Sequence, residues 1–202
     1  QEHNIWLGTD YGISLSRYNS ALQFIPISQI TGTGDGNQFY SLFRDSKGFY
    51  WFGGANGLIR FTDPAGERHD AIWYRMGDKT YPLSHNRIRH IYEDKEQQLW
   101  IATDGSINRY DYATRQFIHY NIVDNTGTYN TNWTYYIFED TAGQLWISTC
   151  LGGIFVVDKR KLMQSTSGQY IAEQNYSVHN GLSGMFINQI IPDNEGNVWV
   201  LL

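Results

Sequence analysis

Ile137-Phe138-Glu139-Asp140-Thr141-Ala142-Gly143-Gln144-Leu145-Trp146-Ile147-Ser148-Thr149 decides how the rest of the chain is read. Two apolar segments flank an Asp-x-x-Gly step. That step is hairpin chemistry: the carboxylate accepts turn N–H groups and glycine supplies a positive φ. The same phrase surrounds Trp6, Trp51, Trp100 and Trp199, at intervals of 45 to 53 residues. An aspartate stands six residues before the tryptophan wherever that position exists: Asp45, Asp94, Asp140 and Asp193. Glycine stands three before it at Gly48, Gly143 and Gly196, whereas the third copy has Gln97. Gln97 is expected either to take a positive φ at a cost of about 1 kcal/mol or to change the turn type.

Each unit continues past its tryptophan with a glycine six residues on (Gly12, Gly57, Gly152), replaced by Ser106 behind Gly105 in the third copy. Two more apolar segments follow, such as Leu58–Phe61 and Ala71–Tyr74. Four short strands, a to d, repeated every 40 to 50 residues predict an all-β fold: a β-propeller arc of four-stranded antiparallel blades. The Leu-Trp-Ile and Val-Trp-Val runs fit a strand b buried on both faces. No stretch shows helical periodicity. The domain expectation is a single propeller fragment over 1–202, about four blades anchored by the five tryptophans. It begins and ends in strand b, as an arc of a larger ring does.

Composition agrees. Of 202 residues 41% are hydrophobic and 16% aromatic, with 20 glycines and 4 prolines. The formal charge is −5, and no basic run suggests a nucleic-acid partner. Cys150 is the sole cysteine, so an internal disulfide is impossible. No signal-peptide pattern opens the chain at Gln1, and no apolar run reaches the roughly 18–20 residues of a membrane helix. No metal-ligand spacing is present, and no cofactor is expected.

The phrase from Ile137 to Ile154 resembles the two-component regulator propeller repeat, with Asp, Gly, Trp, Thr and Gly in register. Streptogramin-lyase-like propellers use a similar phrase. The resemblance implies the periplasmic sensor region of a Bacteroides-type hybrid two-component system, part of an inner-membrane protein. In that family two propellers precede an immunoglobulin-like domain, a membrane helix, a histidine kinase and a regulator module. It also implies an oligosaccharide input, homodimerisation and no catalysis by the propeller.

The repeat separates architecture from candidate sites. Glu93-Asp94 and Glu139-Asp140 look like acid–base pairs, but they recur at the turn and read as structural. So do Asn37, Asn86 and Asn132, eight before the turn aspartate, and Thr9, Thr103 and Thr149, three after the tryptophan. The non-recurring residues of the b–c and d–a loops, which share one propeller face, are the better candidates. Sugars require flat aromatics and planar polar groups, with arginine for an anionic sugar. Tyr11, Asn56, His85, Arg87, Asp104 and Trp133 meet this requirement. A catalytic glycosidase or lyase reading rests on Asp10 and Asp104, and a pure scaffold reading places the ligand elsewhere. Gly32–Gly36 lacks the lysine and helix of a phosphate loop and reads as a d–a connection.

Overall fold

The strands assemble blade by blade from the innermost outward, and each blade is a consecutive antiparallel meander. The structure is a computed structural model and describes residues 5–9, 12–16, 23–26, 38–62, 70–80, 82–166 and 168–202. Blade I contributes β1 (Ile5–Thr9), β2 (Gly12–Ser16) and β3 (Gln23–Pro26). Blade II is β4 (Phe39–Arg44), β5 (Tyr50–Gly54), β6 (Gly57–Phe61) and β7 (Ile72–Tyr74). Blade III is β8 (Ile88–Glu93), β9 (Leu99–Thr103), β10 (Ser106–Asp111) and β11 (Gln116–Tyr120). A short β12 (Ile122–Val123) leads to blade IV. Blade IV holds β13 (Thr134–Glu139), β14 (Gln144–Thr149) and β15 (Ile154–Asp158), then helix α1 (Lys159–Gln164), β16 (Tyr170–Ile171) and β17 (Gln174–Tyr176). Blade V has β18 (Gln189–Pro192) and β19 (Val198–Leu201). The sheet orders are β4-β5-β6-β7, β11-β10-β9-β8 and β13-β14-β15-β17, as expected of a propeller. β18-β19 and β1-β2-β3 remain separate sheets, so the two ends do not complete one another's blade.

Strand b is the buried spine. Every residue of β9 is buried, and Trp51 and Trp100 have no exposed surface. Trp199, with no further strand beside β19 in its sheet, is 62% exposed. Four of the five tryptophans of the repeat, Trp51, Trp100, Trp146 and Trp199, donate their indole N–H to the aspartate six residues earlier. The Nε1 to Oδ2 distances are 2.8 Å for Trp51–Asp45, 2.9 Å for Trp100–Asp94, 2.9 Å for Trp146–Asp140 and 3.0 Å for Trp199–Asp193. The other carboxylate oxygen receives turn amides, as in Asp94 Oδ1 with Glu96 N and Gln98 N at 2.9 Å. The sequence pointed to the turn amides only. The indole bond is the further reason that the spacing is six.

The turn is a type I turn closed by one left-handed residue. Gly48, Gly143 and Gly196 supply φ values of 89°, 80° and 88°, and Gln97 keeps the turn with φ 61°. At the b–c hairpin, Gly57 (φ 122°) is matched by Ser106 (φ 77°). In blade IV the positive φ falls on Gly153 (74°) rather than on Gly152, because that hairpin is one residue longer. Thr103 and Thr149 bond within these hairpins, Thr103 Oγ1 to Ser106 O at 2.8 Å and Thr149 Oγ1 to Gly153 O at 3.0 Å.

The recurring acidic pairs join blades. Glu93 accepts the N–H and hydroxyl of Ser46 in the preceding blade's turn, both at 2.9 Å. Glu139 accepts Lys95 N at 3.0 Å in the same way. The c–d turn also reaches back: Tyr112 Oη lies 2.6 Å from Asp45 Oδ2, and the equivalent Lys159 Nζ lies 3.0 Å from Asp94 Oδ2. Lys159 is 2% exposed and is held further by Glu139 at 2.7 Å. Burial opposes its charge, but the bonds to Glu139 and Asp94 raise its pKa.

Two expectations need correction. Helix α1 breaks the all-strand reading. It is a six-residue insertion in the c–d turn, capped by Asp158, whose carboxylate accepts Arg160 N and Lys161 N. It buries only Lys159 and Leu162, too few positions to register as a helical period. The asparagine series is also uneven. Asn86 Oδ1 accepts Met76 N at 2.7 Å and ties loop to blade, whereas Asn132 is exposed. Asn37 lies outside the described residues, as do the glycine-rich stretch 32–36 and residue 10; Thr9 is described in its backbone alone.

Removing the buried ammonium strands two carboxylates. Lys159→Met is expected to cost about 3–5 kcal/mol in denaturant unfolding, and a loss below about 1 kcal/mol rules out the clamp. Gln97→Gly is expected to gain up to about 1 kcal/mol by relieving a left-handed side chain. Ser106→Gly loses stability instead, because Ser106 Oγ bonds Tyr120 O at 2.8 Å. Equal effects of the two glycine substitutions would contradict this account.

Candidate binding face at the channel mouth

The b–c and d–a loops meet on one face through a repeated backbone bond. Ala55 N–H donates to Gln38 O at 2.9 Å, Asp104 N–H to Arg87 O at 3.2 Å, and Cys150 N–H to Trp133 O at 2.9 Å. One more bond crosses between blades III and IV, from Trp133 N–H to Asp104 O at 3.0 Å. Trp133 is thus held by both of its peptide groups.

Strand a supplies what lies beneath. In blades II, III and IV its register slips by one residue at the same place, around Tyr40, Arg89 and Tyr135. Such a bulge re-aims a side chain. The Arg89 guanidinium lies 4.6 Å from the Tyr135 ring centre and 5.8 Å from that of Tyr40. It grips Asp104 with two bonds, Nε to Oδ1 at 2.8 Å and a terminal nitrogen to Oδ2 at 3.2 Å. Arg87 approaches the same carboxylate at 3.8 Å from the rim. Burial opposes the charge of Arg89, but Asp104 raises its pKa. Tyr40, Arg89, Tyr135, Asn188 and Gln189 line a cavity of about 360 Å³.

Trp133 is the conspicuous residue of this face. Its φ is 55°, a left-handed conformation that a bulky residue rarely adopts. Its side chain is 48% exposed and overlooks a second cavity of about 320 Å³, with Tyr129, Asn130, Asn132 and Leu151. The Arg89–Asp104 pair fixes the turn whose carbonyl accepts the Trp133 amide, so the channel-mouth ion pair positions the indole.

The six candidates divide accordingly. Arg87, Asp104 and Trp133 come together, and His85 joins them by accepting Arg87 N–H on Nδ1 at 3.0 Å. Asn56 sits exposed on the neighbouring blade's turn, its carbonyl accepting Arg75 Nε at 3.0 Å. Tyr11 lies outside the described residues. Tyr40, Arg89 and Tyr135 were missed. They share one register position, five before the turn aspartate, yet differ in type, and that combination marks a site inside a repeat. Asp104 is engaged by Arg89, and its proposed catalytic partner Asp10 lies outside the described residues. Among the described residues no cluster of His, Cys, Asp or Glu could hold a metal.

The two component regulator propeller pattern matches residues 33–56 and 82–105. The extracellular domain of BT4673 from B. thetaiotaomicron, designated a hybrid two component system, is 98% identical over 99% of the chain, with a TM-score of 0.87. The chain belongs to the two-component regulator propeller family. It spans 27% of the length of that solved domain, so this family member is part of a larger propeller and of an extracellular sensor domain. The extracellular domain of BT3049 from the same organism is 21% identical over 98% of the chain and 23% of its own length, with a TM-score of 0.68. Virginiamycin B lyase from Staphylococcus aureus is 15% identical over 98% of the chain and 59% of its own length, at a TM-score of 0.66. These two share the fold. No curated protein matches the chain.

Beside Arg89 in this propeller segment, His90 is half-buried between blades III and IV. Its ring stacks on Tyr136 at 3.8 Å, and its Nδ1 accepts Ile137 N–H at 3.3 Å. Burial lowers its pKa to about 4. The unfolded chain therefore takes the proton first as pH falls. Stability is full above about pH 6.5 and declines toward pH 4, by up to about 3 kcal/mol. Comparing unfolding of wild type and His90→Gln at pH 7 and pH 4.5 checks this: the variant should lose less stability on acidification. Parallel losses in the two proteins exclude His90 as the source.

Proposed function

We propose that this segment forms part of the input face of a carbohydrate sensor and performs no chemistry itself. The carrying observation is Trp133. A half-exposed indole on a left-handed backbone, clamped through its peptide N–H and C=O and flanked by Asn130 and Asn132, has the parts that a sugar ring needs. Backbone strain of this kind persists where the surroundings over-determine it, a signature of binding sites. The recurring carboxylates are committed to turns and seams, and Asp104 is committed to Arg89, which supports binding rather than acid–base catalysis.

In this reading the occupied face passes its signal, through further propeller and immunoglobulin-like modules of a dimeric parent, to a histidine kinase across the inner membrane. The sensor lies in the periplasm and needs no cofactor. Calorimetric titration of the complete extracellular domain with defined oligosaccharides tests the site. Trp133→Ala is expected to weaken binding by about 2 kcal/mol, roughly 30-fold. Arg89→Ala should weaken it too, by freeing the turn beneath the indole. Unchanged affinity in both variants moves the site off this face, and turnover of any glycan overturns the non-catalytic reading.

A further inference from the structure

The chain contains two Asn-Gly steps, Asn56-Gly57 and Asn180-Gly181. Asparagine before glycine is open to attack from its own backbone, because no side chain on the glycine keeps its nitrogen from the asparagine Cγ. The fold treats the two steps in opposite ways.

Asn180 is locked at both ends of its amide. Its Oδ1 accepts Ser177 N–H and its Nδ2 donates to Asn175 O at 2.6 Å, within the capping box of the short turn Val178–Asn180. Both bonds must break before its Cγ turns onto the Gly181 nitrogen.

Asn56 is exposed at the tip of the b–c hairpin between β5 and β6, where Gly54 pairs with Gly57. Its peptide group is activated from outside the hairpin. Arg75 Nε donates to Asn56 O at 3.0 Å, and that carbonyl shares one peptide unit with the Gly57 N–H. A guanidinium on the carbonyl draws electron density from the nitrogen, makes its N–H more acidic and stabilises the attacking anion. The guanidinium is itself placed 4.3 Å from the Trp73 ring centre. The glycine is obligatory here: Gly57 has φ 122°, and a Cβ would stand 2.7 Å from Tyr74 O and 2.9 Å from Arg75 Cγ. The asparagine is not, since Tyr11, Gly105 and Leu151 hold the same place in the other repeats.

We propose that Asn56 is a site of spontaneous deamidation on the channel-mouth face. The Gly57 nitrogen loses its proton and bonds to Asn56 Cγ. The Cγ–Nδ2 bond breaks, and ammonia leaves carrying a proton in place of the one lost, so a cyclic succinimide remains. Water then opens that ring at either carbonyl, giving aspartate or isoaspartate at this position. Both products add a negative charge to the face. Isoaspartate also adds a methylene to the backbone of a hairpin that is tied to the d–a loop by Ala55 N–H and Gln38 O.

The test ages the complete extracellular domain in mildly alkaline buffer and digests it with trypsin, which releases residues 48–60 with Asn56 as their sole asparagine. Conversion is read by mass as an amide NH₂ replaced by OH, and isoaspartate by enzymatic methylation. In the folded domain Asn56 should convert at least about tenfold faster than Asn180, the scale set by two hydrogen bonds to be broken. In urea the two steps should convert at comparable rates. Arg75→Ala should slow Asn56 by about tenfold, as expected for one hydrogen bond from a charged group, and Arg75→Lys should restore most of the rate. Neither variant should alter Asn180. The proposal is overturned if Asn56 stays intact in the folded domain, if Asn180 keeps pace with it, or if their difference persists in urea. An unchanged or raised Asn56 rate in Arg75→Ala overturns the activation by Arg75.

Discussion

The indole-to-carboxylate bond six residues apart is the constraint on which the other features depend. It joins the top of each a–b turn to the buried centre of strand b, so turn and core cannot move independently. Burying an indole without satisfying its N–H carries a penalty, as does burying a carboxylate. Pairing the two removes both penalties while the ring contributes its area. Because one Asp oxygen is taken by the tryptophan and the other by turn amides, the Asp-x-x-Gly turn is held to a single geometry. Even Gln97 adopts the left-handed state sooner than change it.

A fixed turn then becomes a receptor for the next blade. In blades III and IV the glutamate before the turn aspartate reaches not into its own sheet but to the amide of the preceding turn, and Tyr112 or Lys159 approaches the preceding aspartate from the other side. Residues that resemble catalytic pairs in the sequence are therefore separated in role. One carboxylate serves its own tryptophan and the other serves a neighbour. The loops at the opposite end of the strands carry no such obligations, and there the ring can present Trp133 and the Arg89–Asp104 pair.

The strands, the turns and the structural standing of the acidic pairs were legible because they repeat, and repetition is visible without coordinates. What was not legible followed from events that occur once or that shift register. Helix α1 is a single insertion with two buried residues. Tyr40, Arg89 and Tyr135 lie on a bulge, and a one-residue slip reverses which side chains face the channel. Trp133 could be singled out as a lone aromatic on a rim loop, but its left-handed backbone and its clamp by two neighbouring turns depend on contacts far apart in sequence.

The backward reach of each glutamate gives the arc a polarity. Blades III and IV bring the acceptor and their predecessors already display the donor, so at these two seams assembly from the N-terminus meets a finished partner. It also makes the repeats non-interchangeable. The position held by Glu93 and Glu139 is Arg44 in blade II and Pro192 in blade V, and neither can accept an amide through a carboxylate. Exchanging two blades would leave their buried tryptophans content and their seams mismatched. The order of the units, and not only their number, is therefore part of what the chain encodes.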